Sequence, residues 1–207
     1  MNFDRLAPFY QTMERIAAGD RLQRCRLAFL DDIPPPRKVL IAGEGRGFFL
    51  AELRKRFPAA DVVVVDSSLR MLEYAKEKSG GSRVDFIHAD ILEWTPESDG
   101  FDLIVTHFFL DCFTACELDL LVPRLGAWAS PEANWLLADF EIAPKGLARW
   151  RCRVIVMLLY RFFRITCGLR AGSLTPPDGG LCKAGFHLVM RKTTEWGLLK
   201  SEWWGRS

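Results

Sequence analysis

Short apolar runs alternate with amphipathic segments along most of the chain, and this alternation constrains the fold more than any other feature. The clearest run is DVVVVDSS (61–68), in which four consecutive valines favour a strand buried on both faces of a sheet. Segments with helical spacing precede and follow it, at 46–58 and 68–81. Strands and helices that alternate with short connections predict an α/β fold, a doubly wound and mainly parallel sheet with helices on both faces.

The rest of the chain continues this pattern. A long helical stretch is expected over 146–170, and a helix over 116–129 that is interrupted near Pro123. The last two strands have no helix between them, so we expect an antiparallel pair at one edge of the sheet. The other predicted strands are 38–43, 83–90, 101–109 and 134–141, and the final pair is 185–194 and 197–206.

A chain of 207 residues is typical of one domain. Residues 1–36 are predicted to form an N-terminal helical cap, helical over 4–30, with a proline-rich linker that cannot be helical. Residues 37–140 form the expected core, and 141–207 the expected lid helix and C-terminal antiparallel edge hairpin.

Composition excludes some classes of function. The formal net charge is only +2, which gives no support to a nucleic-acid partner. The six cysteines lack the spacing and the histidines of a zinc site, so no metal is expected. We interpret them as reduced thiols and expect a cytoplasmic protein without a signal peptide or a membrane-spanning segment.

Three glycines follow the first predicted strand at alternate positions, Gly43, Gly45 and Gly47. Glycine permits a sharp turn and lets a ligand approach the backbone without interference from a Cβ atom. A dinucleotide-binding loop would have glycine at the position of Phe48, so a pyrophosphate site is disfavoured, and a P-loop is excluded because no GKS or GKT follows. A tight turn that binds no ligand is the alternative interpretation.

Two aspartates mark the ends of the next two strands. Asp66 ends the second strand, where a carboxylate can accept hydrogen bonds from both hydroxyls of a ribose. Asp90 ends the third strand, where it can accept from an adenine amino group, with Ile91 against the ring. Since the carboxyl ends of parallel strands meet at one edge, the glycine loop and both aspartates predict a site for an adenosine-containing ligand.

With these motifs, residues 38–140 resemble a class I S-adenosylmethionine-dependent methyltransferase. The similar segments are VLIAGEGRG, VVVVDSSLRMLEYAK, HADILEW and FDLIVTHFF, and FDRLAPFY at the start resembles small-molecule members such as quinone methyltransferases. The resemblance implies a Rossmann-like fold with seven strands, S-adenosylmethionine (SAM) as cofactor and S-adenosylhomocysteine (SAH) as product. It also implies that the glycines flank the methionine part, Asp66 holds the ribose, Ser67, Met71, Asp90 and Ile91 surround the adenine, and Tyr10 covers the cofactor.

The sequence departs from the family at one position. Members usually have an acidic residue two positions before the first glycine, where it helps to hold the ammonium group of the cofactor, and this chain has Ile41 there. Glu44 within the loop, or the carbonyl of Gly43, is expected to take over that contact.

His107 and Asp111 are four residues apart after the fourth strand. On a helical turn they would share a face, and the carboxylate would make the histidine more basic, so that the pair removes a proton from an acceptor. In the alternative, His107 only lines the cofactor and Asp111 caps the next helix.

The helix over 146–170 carries arginines among apolar residues. It is expected to be a crossover helix whose arginines reach solvent, or a lid over an acceptor pocket. A further alternative is a helix that rests on a membrane surface through Trp150, Phe162 and Phe163.

The function that these observations favour is transfer of a methyl group from SAM to a small hydrophobic or aromatic acceptor. A non-catalytic SAM- or nucleoside-binding protein, such as a partner subunit, is the alternative from another class. A nicotinamide-dependent oxidoreductase is a second alternative. The sequence does not specify the acceptor or the oligomeric state.

Overall fold

The computed structural model of the chain describes residues 20–80 and 82–206, and seven strands of this part form one sheet. Each of the predicted strands is present, with bounds that differ by a few residues. In chain order the strands are β1 (Lys38–Ala42), β2 (Asp61–Asp66), β3 (Val84–His88), β4 (Phe101–His107), β5 (Ala129–Phe140), β6 (Phe186–Thr194) and β7 (Leu199–Arg206).

The strands lie in the spatial order β3-β2-β1-β4-β5-β7-β6. The first five are parallel to one another, whereas β7 is antiparallel to β5 and β6 is antiparallel to β7. The predicted doubly wound, mainly parallel sheet with a C-terminal antiparallel pair is therefore confirmed. The final strand β7 lies between β5 and β6, so that β6 forms the edge.

Six helices of the described residues pack around the sheet, with one short 3₁₀ turn at Leu110–Cys112. Helix bounds follow from local signals such as Ser68, whose side chain accepts a hydrogen bond from the Met71 N–H at the start of one of them. The helices are α1 (Asp20–Arg26), α2 (Phe48–Arg56), α3 (Leu69–Ser79), α4 (Ala115–Trp128), α5 (Gly146–Cys167) and α6 (Asp178–Lys183).

The predicted interruption of α4 at Pro123 is wrong, because the helix continues to Trp128. A reciprocal capping box starts it: the Glu117 N–H donates to Thr114 Oγ1 at 3.3 Å, and the Thr114 N–H donates to Glu117 Oε2 at 2.8 Å. Proline removes one backbone hydrogen bond, and buried leucines on either side, Leu121 and Leu125, keep the helix against the sheet.

The N-terminal prediction is met only in part. Of the helix expected over 4–30, the described portion is α1, which ends at Arg26 and is followed by turns rather than by more helix. Phe29, Leu30 and Ile33 of this turn segment are buried beneath the sheet. Residues 1–19, with Tyr10 among them, lie outside the described residues.

Each face of the sheet has its own apolar core. Helices α4 and α6 cover one face, around Trp135, and α2 with the turn segment covers the other face, around Leu50 and Leu53. Chain order reverses between β1 and β4, and the crevice at this switch point, outside the carboxyl ends of the strands, is where such sheets bind ligands.

Candidate active site

The loop after β1 turns at Gly43 and Gly45, whose φ angles are +72° and +67°. Both residues line a cavity of ≈ 280 Å³ at the carboxyl ends of the strands. A Cβ atom on Gly43 would lie 2.1 Å from the Phe109 ring, whereas a Cβ on Gly45 would meet no atom within 4 Å. Gly43 must therefore lack a side chain because the Phe109 ring occupies that space, whereas the backbone of Gly45 faces open space.

Gly47 has a different role from the one expected for it. It does not line the cavity, although its φ of +78° is also left-handed. A Cβ there would lie 2.6 Å from the Cα of Ala75. Gly47 therefore allows the start of α2 to approach α3 closely.

Glu44 also lies outside the cavity lining. Its Oε1 accepts a hydrogen bond from the Leu50 N–H at 2.9 Å, so the carboxylate caps the start of α2. Burial raises the pKa of the Glu44 carboxyl to about 7, against the opposing effect of hydrogen bonds from the Leu50 and Phe49 backbone. The geometry thus gives Glu44 a local partner, and the Gly43 carbonyl remains as the expected contact for an ammonium group.

Asp66 and Asp90 line the same cavity, as the argument from neighbouring strand ends predicts. Asp66 Oδ1 accepts from the Ser68 N–H at 2.9 Å and Oδ2 from the Gly45 N–H at 3.3 Å, so one carboxylate joins the glycine loop to the start of α3. Asp90 is exposed, and its Oδ1 accepts from the Leu92 N–H at 3.0 Å.

Apolar side chains lie next to these two carboxylates. Met71, at the start of α3, and Ile91, directly after Asp90, are both buried and line the cavity. The exposed Ser67 lines it as well. The structure thus brings Gly43, Gly45, Asp66, Ser67, Met71, Asp90 and Ile91 together around one space.

His107 does not line this cavity. Its buried ring packs edge-on against Phe49, with 4.5 Å between ring centroids, on the face of the sheet that α2 covers. Burial and the nearby Arg26 charge lower the pKa of His107 well below its usual value, so the ring is neutral. Among the described residues, its Nδ1 has no hydrogen-bond partner.

Asp111, in contrast, lies in the 3₁₀ turn after β4 and lines the cavity. His107 and Asp111 therefore do not form a catalytic pair in the cavity, because only Asp111 lines it. Asp111 does not cap the next helix either, since Thr114 caps α4. Burial raises the pKa of the Asp111 carboxyl to about 6, although a weak hydrogen bond from the Cys112 S–H, 3.6 Å long, opposes it.

Two residues from distant parts of the chain interact with Asp111. The Tyr160 hydroxyl, on α5, donates to the Asp111 carbonyl oxygen at 2.9 Å. Asp139, buried near the end of β5, has its pKa raised well above the usual value by burial and by the Asp111 charge. Neither residue could be predicted from the sequence, since an aspartate in an apolar strand and a tyrosine in a helix are their only signals.

The rest of the cavity wall is largely apolar and aromatic. Phe108 and Phe109 come from the loop after β4, and α5 contributes Ile155, Leu159 and Phe163. One side of α5 therefore covers the cavity, as the lid interpretation predicts.

Charged residues also meet in the cavity wall. Arg21 of α1 forms an ion pair with Glu195, with 2.7 Å between Nη1 and Oε2, and Arg151 of α5 donates to the Glu195 carbonyl oxygen at 3.0 Å. All three residues line the cavity. These contacts join α1, α5 and the turn between β6 and β7 at the cavity wall.

Comparison with known proteins identifies the core of the chain. Residues 39–132 match the family model described as a methyltransferase domain. The chain is 34% identical over 143 residues to the demethylmenaquinone methyltransferase of Roseiflexus castenholzii, covering 68% of this chain and 58% of the relative. It is 40% identical over 87 residues to the trans-aconitate 2-methyltransferase of Streptomyces coelicolor, covering 39% of this chain and 28% of the relative. The chain thus spans less than two thirds of the length of either relative.

Solved structures agree on the fold. The magnesium protoporphyrin IX methyltransferase of Synechocystis PCC 6803, solved with bound SAH, superposes with a TM-score of 0.66 at 19% identity, covering 99% of this chain and 94% of that one. This likeness shows the fold, and the family match over residues 39–132 shows the kind of domain. We conclude that the core of the chain, residues 39–132, belongs to the class I SAM-dependent methyltransferase family.

Proposed function

We propose that this chain transfers the methyl group of SAM to a small hydrophobic or aromatic acceptor. The proposal rests on one observation: a single cavity has a polar part and an apolar part in its wall. Gly43, Gly45, Asp66 and Asp90 form a polar part suited to an adenosyl group, and phenylalanines with the inner side of α5 form an apolar part. Relatives of this chain methylate several different substrates, so the acceptor class is inferred from the cavity alone.

The residues present fit SAM. The bare backbone at Gly43 and Gly45 would accommodate the methionine part, and Asp66 would accept hydrogen bonds from the ribose hydroxyls. Asp90 would accept from the adenine amino group, with Met71 and Ile91 against the ring. When bound, SAM supplies a methyl group on a positively charged sulfur, which already activates that carbon towards attack.

The chain's own contribution to the reaction is alignment and proton removal. The aromatic wall would hold a flat acceptor with its nucleophilic atom in line with the methyl group and exclude water, and alignment supplies much of the rate of such transfers. We assign proton removal to Asp111, because its carboxylate lines the cavity in the apolar part of the wall, where the acceptor would bind. We assign no contact with substrate to His107, since its ring packs against Phe49 outside the cavity lining.

We place the reaction in the cytoplasm. All six cysteines are free, and three of them, Cys25, Cys152 and Cys167, are buried. Unpaired cysteines in this number are typical of a reducing compartment.

Titration calorimetry followed by a transfer assay tests the proposal. SAM and SAH are expected to bind with one site per chain, and NAD is not. Labelled SAM is then incubated with phenols, quinones and thiols, and the label is expected in at least one extractable product. Binding of SAM without transfer to any acceptor, including those of a cell extract, would instead favour the non-catalytic binding protein. Tight binding of NAD without SAM would overturn the assignment altogether.

A further inference from the structure

The side of α5 that faces away from the cavity is apolar and exposed. Trp150 is 68% exposed, Leu158 57% and Ile165 81%. Together with Leu147, Met157 and Phe162 they form what we call the outer face of α5. The opposite side of the same helix is buried or lines the cavity, so the outer face is not needed for packing within the described residues.

The charges on this helix are all of one sign. No aspartate or glutamate occurs between residues 146 and 170. Arg149, Arg153 and Arg161 are exposed, and none of the three forms an ion pair within residues 20–80 and 82–206. Large apolar side chains flanked by arginines without an ion pair among the described residues are unusual on a surface that faces only water.

We propose that the outer face of α5 docks on the surface of an anionic phospholipid membrane. An interfacial helix lies in the plane of the membrane, with its apolar side in the region between head groups and acyl chains and with basic residues against the head-group phosphates. Helix α5 has 22 residues, which at about 1.5 Å per residue is long enough for several turns to contact the surface at once.

The helix does not span the membrane in this arrangement. In the part of the chain that the structure describes, no helix is long and apolar enough to cross a bilayer. The arginines along α5 keep it at the interface, because their side chains can reach the head groups only from a shallow position.

Charge favours a lipid surface over a second copy of the chain as the occupant. A two-fold contact places the same patch on both sides of the interface. Two outer faces packed antiparallel about Met157 would bring Arg153 of one copy near Arg161 of the other, so that like charges meet. An anionic lipid surface supplies the opposite charge instead.

Vesicle flotation tests the proposal. The full chain is mixed with vesicles of phosphatidylcholine alone, or with about 30% phosphatidylglycerol, a content chosen to give the surface a strong negative potential. We expect flotation with the anionic vesicles, little with the neutral ones, and a marked loss at high salt because the attraction is screened.

Two variants separate the contributions of the outer face. The triple variant Trp150→Glu, Leu158→Glu, Ile165→Glu is expected to lower the vesicle partition coefficient at least ten-fold. The double variant Arg153→Gln, Arg161→Gln is expected to lower it by about twenty-five-fold for anionic vesicles only, from about five-fold per basic residue.

The control is Leu120→Glu on α4, since Leu120 is also 68% exposed but lies outside α5. Circular dichroism and thermal unfolding verify that each variant is folded. Absence of wild-type flotation, or equal flotation of the wild type and a folded triple variant, would overturn the proposal. So would a wild-type dimer that does not bind vesicles and that the triple variant dissociates, because the outer face would then be a contact between copies.

Discussion

The ring of Phe109 occupies the position into which a side chain at Gly43 would project, with only 2.1 Å between the ring and a Cβ atom there. Both residues line the cavity, so this contact sets the distance between the glycine loop and the aromatic wall. A methyl group at position 43 cannot be accommodated unless Phe109 moves.

Substitution Gly43→Ala should therefore lower SAM affinity. Displacement of Phe109 changes the shape of the cavity, and a left-handed φ adds about 1–2 kcal/mol of strain for a residue with a side chain. We expect the Kd for SAM, measured by calorimetry, to rise at least ten-fold. The matched control is Gly168→Ala, since Gly168 has a left-handed φ of +72°, a Cβ there meets no atom within 4 Å, and the residue does not line the cavity. If Gly43→Ala binds SAM as tightly as Gly168→Ala does, the placement of the methionine part is wrong.

Substitution Asp66→Asn tests the ribose contact. Loss of the charge weakens hydrogen bonds that are worth about 1.5–3 kcal/mol each, so the Kd for SAM should rise about ten-fold or more. Asp119→Asn makes the same change of charge at an exposed position on α4 and should leave the Kd unchanged. Equal affinities in the two variants would contradict a role of Asp66 in binding.

These residues also mark what the sequence could predict. The proximity of Asp66 and Asp90 could be predicted because the carboxyl ends of neighbouring parallel strands lie at the same edge of the sheet. The role of Gly47 could not be predicted from the sequence, since it depends on how closely α2 approaches Ala75 of α3. Contacts that depend on the packing of two elements leave no local pattern.

The fourth strand shows the same limit. Side chains alternate between the two faces of a strand, so His107 shares a face with Val105 and packs in the core around Phe49. Helical spacing between His107 and Asp111 was expected, but the chain leaves the strand through Phe108, whose φ is +52°. This turn separates the two side chains, and it presents the backbone carbonyl of Asp111 to the Tyr160 hydroxyl.

Methyl transfer should depend on pH through Asp111. Burial raises the pKa of its carboxyl to about 6, and a base acts only when it is ionised. We expect kcat/KM for a hydroxyl acceptor to rise as the pH increases through about 6 and to level off above it. Asp111→Asn should lose this dependence and reduce the rate by roughly two orders of magnitude. An unchanged pH profile in the variant would assign proton removal to another group or to water.

The ionised Asp111 carboxylate should lower the free energy of unfolding at neutral pH. Its pKa in the folded chain lies above 3.8, the ordinary value for an aspartate, so the folded state binds a proton more tightly than the unfolded state does. Ionisation above about pH 6 therefore destabilises the fold, and the penalty fades as the pH falls from there towards 4. Asp111→Asn should be more stable than the wild type by about 2 kcal/mol at pH 8, allowing for partial exposure, and by less at pH 5. Urea unfolding at pH 8, 6 and 5 measures this, and a difference that grows at low pH would contradict the argument.

Two adjacent leucines of α5 separate the acceptor wall from the outer face. Leu159 lines the cavity, whereas Leu158, about 100° further around the helix, is exposed on the outer face. Leu159→Ala should lower kcat/KM for an apolar acceptor by at least about ten-fold, because one methylene group of contact is already worth about 1–3 kcal/mol. The Kd for SAM should stay the same, since Leu159 belongs to the aromatic and apolar part of the wall. Leu158→Ala, one position away in the same helix, should change neither quantity. If Leu159→Ala instead weakened SAM binding and left kcat/KM for the acceptor unchanged, the assignment of SAM to the polar part of the cavity and of the acceptor to the apolar part would be wrong.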